Sequence, residues 1–258
     1  MRLMKRILSA AAVLALSASL LVGCSSGTAS SVPVSASSAA ESTVSSVEET
    51  ASSAVDENEA AAAQLLNDLT GSYQELWLVI LADEYKQTWL DDCTALVGED
   101  NAEAAFEKLS SMVTGDVYGE DAVKAYANGG GAYFCGFTNS LAILTFDGET
   151  STISGTDKDG NVLFSHTYHY IGMEPVRGLY EFQSDDADSG EFTYFFLAPD
   201  TSAETYHIEF RYGSDAEALS QYDTGEYAYW LASGISTDCD QTMIDNCIEL
   251  FCTENLAG

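Results

Sequence analysis

Residues 192–230 read FTYFFLAPDTSAETYHIEFRYGSDAEALSQYDTGEYAYW and carry the clearest strand pattern of the chain. Two aromatic and β-branched runs, 192–198 and 205–212, flank a Pro-Asp-Thr-Ser turn. Successive side chains of a strand point to opposite faces, so the second run has one apolar and one polar face. The apolar face needs a core, and the polar face meets either bulk water or the lumen of a barrel. The apolar residues are Tyr206, Ile208, Phe210 and Tyr212, and the polar ones are Thr205, His207, Glu209 and Arg211.

The same alternation recurs upstream, which predicts a mainly β fold. Strand candidates are residues 133–137, 140–146, 150–154, 162–171 and 179–183. Helices are predicted at 61–96 in two or three pieces, 101–113, 119–127, 216–221 and 240–251. Seven or eight short strands joined by tight turns favour an antiparallel barrel or sandwich. The helices then stand before the strands and at the C-terminus.

The N-terminus has the features of an export signal. Three basic residues precede an apolar run in residues 1–23, which ends in Leu-Val-Gly and is followed by Cys24. This ending resembles a bacterial lipobox, in which the cysteine is acylated and becomes the mature N-terminus. We therefore predict a cell-surface or extracytoplasmic protein, membrane-anchored through lipidated Cys24. The alternative is a plain secretory peptide.

Residues 24–60 predict a flexible tether between the anchor and a domain at 61–258. The segment is rich in Ser and Ala, with six acidic residues and no Lys or Arg. Such a composition buries too little apolar surface to offset the conformational entropy of folding.

The formal net charge of −32 excludes two classes of partner. A surface this acidic repels nucleic acid and anionic lipid. We expect contact with the membrane only through the lipid anchor. The charge also serves solubility, which needs no cation-binding role.

Five cysteines remain once Cys24 is set aside, so at least one has no intramolecular partner. The spacings of the last three match neither a zinc ribbon nor a CxxC redox pair. We interpret the five as disulfide-forming or buried residues rather than metal ligands. They are Cys93, Cys135, Cys239, Cys247 and Cys252.

The three histidines are the candidates for metal binding, because imidazole is a common zinc ligand. His207 and Glu209 lie two apart on one strand and share a face. His166 and His169 lie three apart, so they face opposite sides and at most one can meet His207. A metal site of His207, Glu209 and one of these two is the hypothesis. The alternative is a polar ladder in which Arg211 pairs with Glu209.

No motif of a known enzyme class occurs in the predicted domain. HExxH, the P-loop and the dinucleotide-binding glycine pattern are absent from the sequence, and the one GxSxG match, residues 23–27, lies at the end of the predicted signal segment and the start of the tether rather than on a strand-to-helix turn. The sequence therefore predicts a binding protein rather than an enzyme.

Several segments together resemble the ZinT family, also called YodA, of extracytoplasmic zinc-binding proteins. They are residues 178–182, 192–199, 203–207, 212–215 and 227–230. The resemblance implies a calycin, lipocalin-like barrel that binds zinc for capture or for delivery to an uptake system. It also implies a component of a zinc-uptake transporter as a partner, because the same module is fused to zinc-uptake solute-binding lipoproteins.

The chain departs from that family at the metal site. The family has a histidine within the strand that corresponds to residues 193–196, where this chain has Phe195. The family's His-x-His corresponds to Thr205-Tyr206-His207, so only His207 remains. Either the site is rebuilt with Glu209 and His166 or His169, or the barrel binds a non-metal ligand or serves as a scaffold.

Overall fold

The computed structural model describes residues 57–113, 134–199 and 207–257. The predicted signal peptide, Cys24, most of the predicted tether and the predicted helix at 119–127 lie outside the described residues. Helix α1 covers residues 57–68, so it includes four residues that the sequence assigns to the tether.

Eight strands form a closed barrel in which each strand pairs antiparallel with its neighbour in sequence and the last pairs with the first. This confirms the predicted fold class, an antiparallel calycin-like barrel with helices at both ends. The strands are β1 Gly71–Glu75, β2 Ile143–Asp147, β3 Thr152–Thr156, β4 Val162–Met173, β5 Tyr180–Ser184, β6 Tyr194–Leu197, β7 His207–Gly213 and β8 Ala232–Ser236.

Besides α1, the helices are α2 Leu76–Ile80, α3 Lys86–Val97, α4 Glu99–Val113, α5 Ala216–Leu219 and α6 Gln241–Leu256. Helices α2, α3, α4 and α6 gather outside the barrel wall, where α3 packs on α4 and α6, and α2 packs on β8 and α6. Apolar side chains of α1 and α5 belong instead to the barrel core. None of the helices within the described residues is long and apolar enough to cross a bilayer.

Aromatic rings fill the barrel interior. Phe195, Phe210 and Tyr212 are each 0% exposed, and the Tyr212 ring centroid lies 5.4 Å from that of Phe195 and 5.8 Å from that of Phe210. Phe164 stacks on Phe192 at 4.0 Å in the same cluster. An eight-stranded barrel is just wide enough for side chains to fill it, and these rings do so.

A second apolar core lies between the outer face of the barrel and the helices. Trp89 on α3 is 0% exposed, and its Nε1 donates to the Ile80 carbonyl at 2.7 Å. Ile235 on β8 and Phe251 on α6 belong to or pack against the same core. The five cysteines of the domain also lie in or against it.

The structure departs from the predicted strands at three places. Residues 71–75, predicted within a helical region, form β1, because pairing with both β2 and β8 supplies the ladder bonds that close the barrel. Strand β8 was not predicted, since its small residues carry little strand propensity, yet Gly234 allows close packing, because an added Cβ there would lie 3.1 Å from Ile208 Cγ1. Of the strand predicted at 133–137, the described residues 134–137 form only an isolated bridge from Phe134 to Trp230.

Candidate functional site

His207 and Glu209 lie on the outer face of β7, away from the barrel interior. Ile208 between them belongs to the interior core. The register pairs His207 with Ile235 of the second core and Glu209 with Ser233. Both side chains are half-buried. The polar face of β7 therefore points away from the barrel lumen and is partly covered by helices.

A cavity of about 240 Å³ lies between this face of β7 and helices α2 and α6. We call it the β7 pocket. Apolar and polar side chains both line it. Its lining is Leu76, Trp77, Ile80, Met112, Val113, Cys135, Arg177, His207, Glu209, Leu231, Ser233, Cys247, Leu250, Phe251, Glu254 and Asn255.

The aromatic wall of the β7 pocket is a pair of rings from two helices. Trp77 of α2 and Phe251 of α6 meet edge to face, with ring centroids 4.6 Å apart. Edge-to-face packing is a favourable arrangement of two aromatic rings and holds both in place. The two rings therefore give the β7 pocket an ordered apolar surface.

Arg177 reaches the β7 pocket from the turn between β4 and β5. Glu174, which is 1% exposed, holds that turn by accepting from the backbone N–H groups of Val176 at 2.7 Å and Arg177 at 2.6 Å. The Arg177 guanidinium lies over the Tyr222 ring, 5.0 Å from its centroid. A buried carboxylate thus fixes the backbone that places a permanent positive charge at the pocket.

Cys135 stays a neutral thiol at ordinary pH. Burial, reinforced by the nearby Glu209 carboxylate, raises the pKa of the Cys135 thiol to about 12, against the opposing effects of Ser233 and Arg177. The thiolate is the form that binds metal or attacks an electrophile. Cys135 therefore contributes a neutral, weakly polar surface to the pocket.

Arg211, the next residue on the outer face of β7, performs a structural task. It is 0% exposed and donates to the carbonyls of Leu219 and Tyr227. Its guanidinium also lies over the Tyr222 ring at 4.3 Å. These contacts fasten α5 and the following loop to the barrel wall.

The structure does not bring His166 or His169 to His207. As the spacing predicts, the two face opposite sides of β4, which is three strands away from β7 around the barrel. His166 lies on the interior side between Phe164 and Tyr168, and its Nδ1 is 2.7 Å from Asp186 Oδ2. His169 is exposed, with Nδ1 2.6 Å from Asp185 Oδ1. His166 therefore faces the barrel interior, whereas His207 faces outward. His169 lies on a strand that is three strands away from that of His207.

The donor set around His207 does not fit a zinc site. A tetrahedral zinc ion takes at least three protein ligands. Within the described residues, no group of three or more His, Cys, Asp or Glu side chains is placed to hold a metal ion. His207 and Glu209 provide two donors at the cavity.

Sequence reasoning found His207 and Glu209 but missed the rest of the pocket. Arg177, Trp77 and Phe251 come from separate parts of the chain and meet only through tertiary packing. The charge composition of the domain is the one signal that pointed to Arg177. Because the domain is strongly acidic and has few basic residues, an arginine in a turn between two strands is unusual.

A scan against protein-family models and a search of curated proteins find no match. Among solved structures, the chain is similar to the Zn(II)-bound ZinT-like domain of Streptococcus pneumoniae AdcA, with a TM-score of 0.46 and 14% identity over 71% of this chain and 89% of that one. It is also similar to Zn(II)-bound AdcA from the same organism, with a TM-score of 0.43 and 13% identity over 72% of this chain and 35% of that one. At 13% and 14% identity, both likenesses concern the fold alone.

Proposed function

We propose that this chain is an exported lipoprotein, anchored through Cys24, whose barrel domain binds a small organic ligand in the β7 pocket. One observation carries the binding proposal. The oppositely charged side chains of Arg177 and Glu209 and the imidazole of His207 line the same cavity as the rings of Trp77 and Phe251. Ligand sites combine apolar walls with a few placed polar groups in this way.

The cavity indicates the chemistry of the ligand. Its volume of about 240 Å³ is below the usual range for drug-sized molecules, so the ligand is small. Arg177 and His207 suit a carboxylate, and Glu209 suits an ammonium group. The aromatic wall suits an apolar body. A zwitterion of amino-acid size with an apolar side chain meets all three requirements.

The position of the pocket separates this site from a ligand site inside the barrel. The interior is occupied by buried rings such as Phe195 and Phe210. The outer face of β7 instead leaves polar groups beside a cavity under the helices. We therefore assign binding to the outside of the barrel wall.

A second candidate function is binding of a divalent metal, zinc above all, for capture or delivery to an uptake system. It is favoured by one feature, the adjacent imidazole and carboxylate of His207 and Glu209 at the same cavity. The shortage of further donors places it behind the organic ligand.

Calorimetric titration of the full chain extracted from membranes separates the two candidates. The titrants are an apolar amino acid, the matching carboxylic acid, the matching amine and Zn²⁺. We expect saturable binding of the amino acid, weakened at least tenfold by Arg177→Met and by His207→Ala. The matched controls Lys158→Met and His169→Ala, both at exposed positions, leave binding unchanged.

The opposite pattern would support the metal. Stoichiometric zinc binding that disappears in His207→Ala and Glu209→Gln, with no response to the amino acid, would show that the ligand is zinc and not an organic molecule.

Anchoring is tested separately with Cys24→Ala. This variant should leave the membrane fraction and lose lipid labelling, and a variant that stays membrane-bound would contradict the lipoprotein assignment.

A further inference from the structure

Two cysteines from distant parts of the chain meet in the second core. Cys93 on α3 and Cys252 on α6 are both 0% exposed, and their Sγ atoms are 3.9 Å apart. The residues are separated by 159 positions in sequence. In the structure both are thiols.

We propose that Cys93 and Cys252 form a disulfide that links α3 to α6 in the mature protein. The sulfur atoms must approach from 3.9 Å to the bond length of about 2.05 Å. The two helices already pack against each other, so the sulfur atoms approach within a contact that is formed in the fold. This inference rests on the proposed export, because disulfides persist in oxidising compartments.

The oxidant is an external disulfide, that of a thiol–disulfide oxidoreductase or of a small-molecule thiol. One protein thiolate attacks it, forms a mixed disulfide and releases one external thiol. The second protein thiolate attacks the mixed disulfide, forms the Cys93–Cys252 bond and releases the second thiol. Two electrons pass to the external disulfide, and the two protons lost by the protein thiols appear on the released thiols.

The timing of the reaction follows from burial. Burial raises the pKa of the Cys93 thiol and, more strongly, that of Cys252. Both sulfurs are enclosed in the folded core, where neither an oxidant nor a thiolate is readily available. The bond therefore forms during folding, before α6 closes on α3, and is then protected from reductants.

The link also bears on the β7 pocket. Cys247, Leu250, Phe251, Glu254 and Asn255 of α6 line that cavity on both sides of Cys252. A covalent bond from Cys252 to α3 would hold the pocket wall at the outside of the barrel. Binding itself does not require the bond, so the two proposals can fail separately.

Peptide mapping provides the direct test. The full chain is extracted from membranes under acid quench, alkylated under denaturing conditions without reductant, digested and analysed by mass spectrometry. We expect a peptide pair joined through Cys93 and Cys252 that disappears after reduction. Complete alkylation of both residues without reductant, or a link to a different cysteine, would overturn the assignment.

Refolding in vitro separates the disulfide from the question of export. One sample of the reduced full chain is refolded in a glutathione redox buffer, and a second sample is refolded in the presence of reductant. The melting temperatures of the two samples are then compared. We expect reduction to lower the melting temperature by roughly 5 to 15 °C. Cys93→Ser and Cys252→Ser should each remove the response to reductant, whereas Cys135→Ser in the same core should keep it.

Each outcome of refolding has a defined meaning. Failure of the bond to form in the redox buffer contradicts the disulfide itself. A different result is that the Cys93–Cys252 bond forms in the buffer while both residues are thiols in the protein extracted from membranes. That result contradicts the oxidising location on which the inference depends. Peptide mapping of the refolded wild-type chain decides the pairing even where a serine variant does not fold.

Discussion

The inner and outer faces of strand β7 follow different rules of packing. On the inner face, Phe210 and Tyr212 are fully buried among other rings. On the outer face, His207 and Glu209 border a cavity beneath two helices. On the inner face, side chains fill the available space. On the outer face, polar groups border a cavity.

This difference separates stability from binding along a single strand. Because close-packed interiors respond strongly to lost volume, the inner face should dominate the free energy of unfolding. The outer face is less closely packed and instead presents polar groups that a ligand can contact. Substitutions on the two faces should therefore have distinct signatures.

The largest expected effect is that of Phe210→Ala on the inner face. Removing a fully buried ring leaves a cavity among Phe195, Tyr212 and Phe137, and we expect a loss of about 3–5 kcal/mol in the free energy of unfolding. Urea unfolding measures it. Val162→Ala, at a position 71% exposed, should change the free energy by no more than about 0.5 kcal/mol. Similar losses for both would show that the interior is not the close-packed core described here.

Arg211→Met should have the next largest effect, because Arg211 lies on the outer face yet is fully buried. The substitution leaves the carbonyls of Leu219 and Tyr227 without this donor, and we expect a loss of about 2 kcal/mol. Hydrogen exchange should locate the loosening at α5 and the loop that follows. Unchanged stability would mean that these carbonyls find water or other donors.

Stability should fall at high pH through the inner-face phenol of Tyr212. Burial raises the pKa of Tyr212 to about 12, above its ordinary value of 10.0. The folded state thus holds the proton more tightly, and the contribution is complete below pH 10 and lost as the pH rises towards 12. Urea unfolding at pH 9 and 11 should differ by about 1 kcal/mol more in the wild type than in Tyr212→Phe. An equal pH dependence in both chains would contradict this account of Tyr212.

His207→Ala should have the smallest effect on stability and a large one on binding. The side chain is half-buried at the edge of a cavity, so we expect a change of no more than about 1 kcal/mol in the free energy of unfolding. His169→Ala is the matched control on β4. A loss in the free energy of unfolding comparable to that of Phe210→Ala would show that His207 belongs to the core. That result would contradict the distinction between the two faces.

The sequence was informative wherever a local period determines the structure. Alternation placed Phe210 and Tyr212 on one face of β7 and His207 and Glu209 on the other, and this is confirmed. The same argument was uninformative for β1 and β8. Their few residues become strands because they pair with each other and close the barrel.

The site was predictable only as far as one strand reaches. Two-residue spacing correctly placed His207 beside Glu209, and three-residue spacing correctly separated His166 from His169. The periodicity of β4 gives no information about its distance from β7 around the barrel. Likewise, the cover over the polar face comes from α2, which lies between β1 and β2 in the chain, and from α6, which follows β8, and both reach this face only through tertiary packing.

Native mass spectrometry of the full chain, extracted from membranes without chelator, tests the central claim most directly. We predict a population that carries one small organic molecule in wild type and in His169→Ala, and that is lost in Arg177→Met. One zinc ion per chain, retained in Arg177→Met and lost in His207→Ala, would contradict binding of an organic ligand at the outer face of β7.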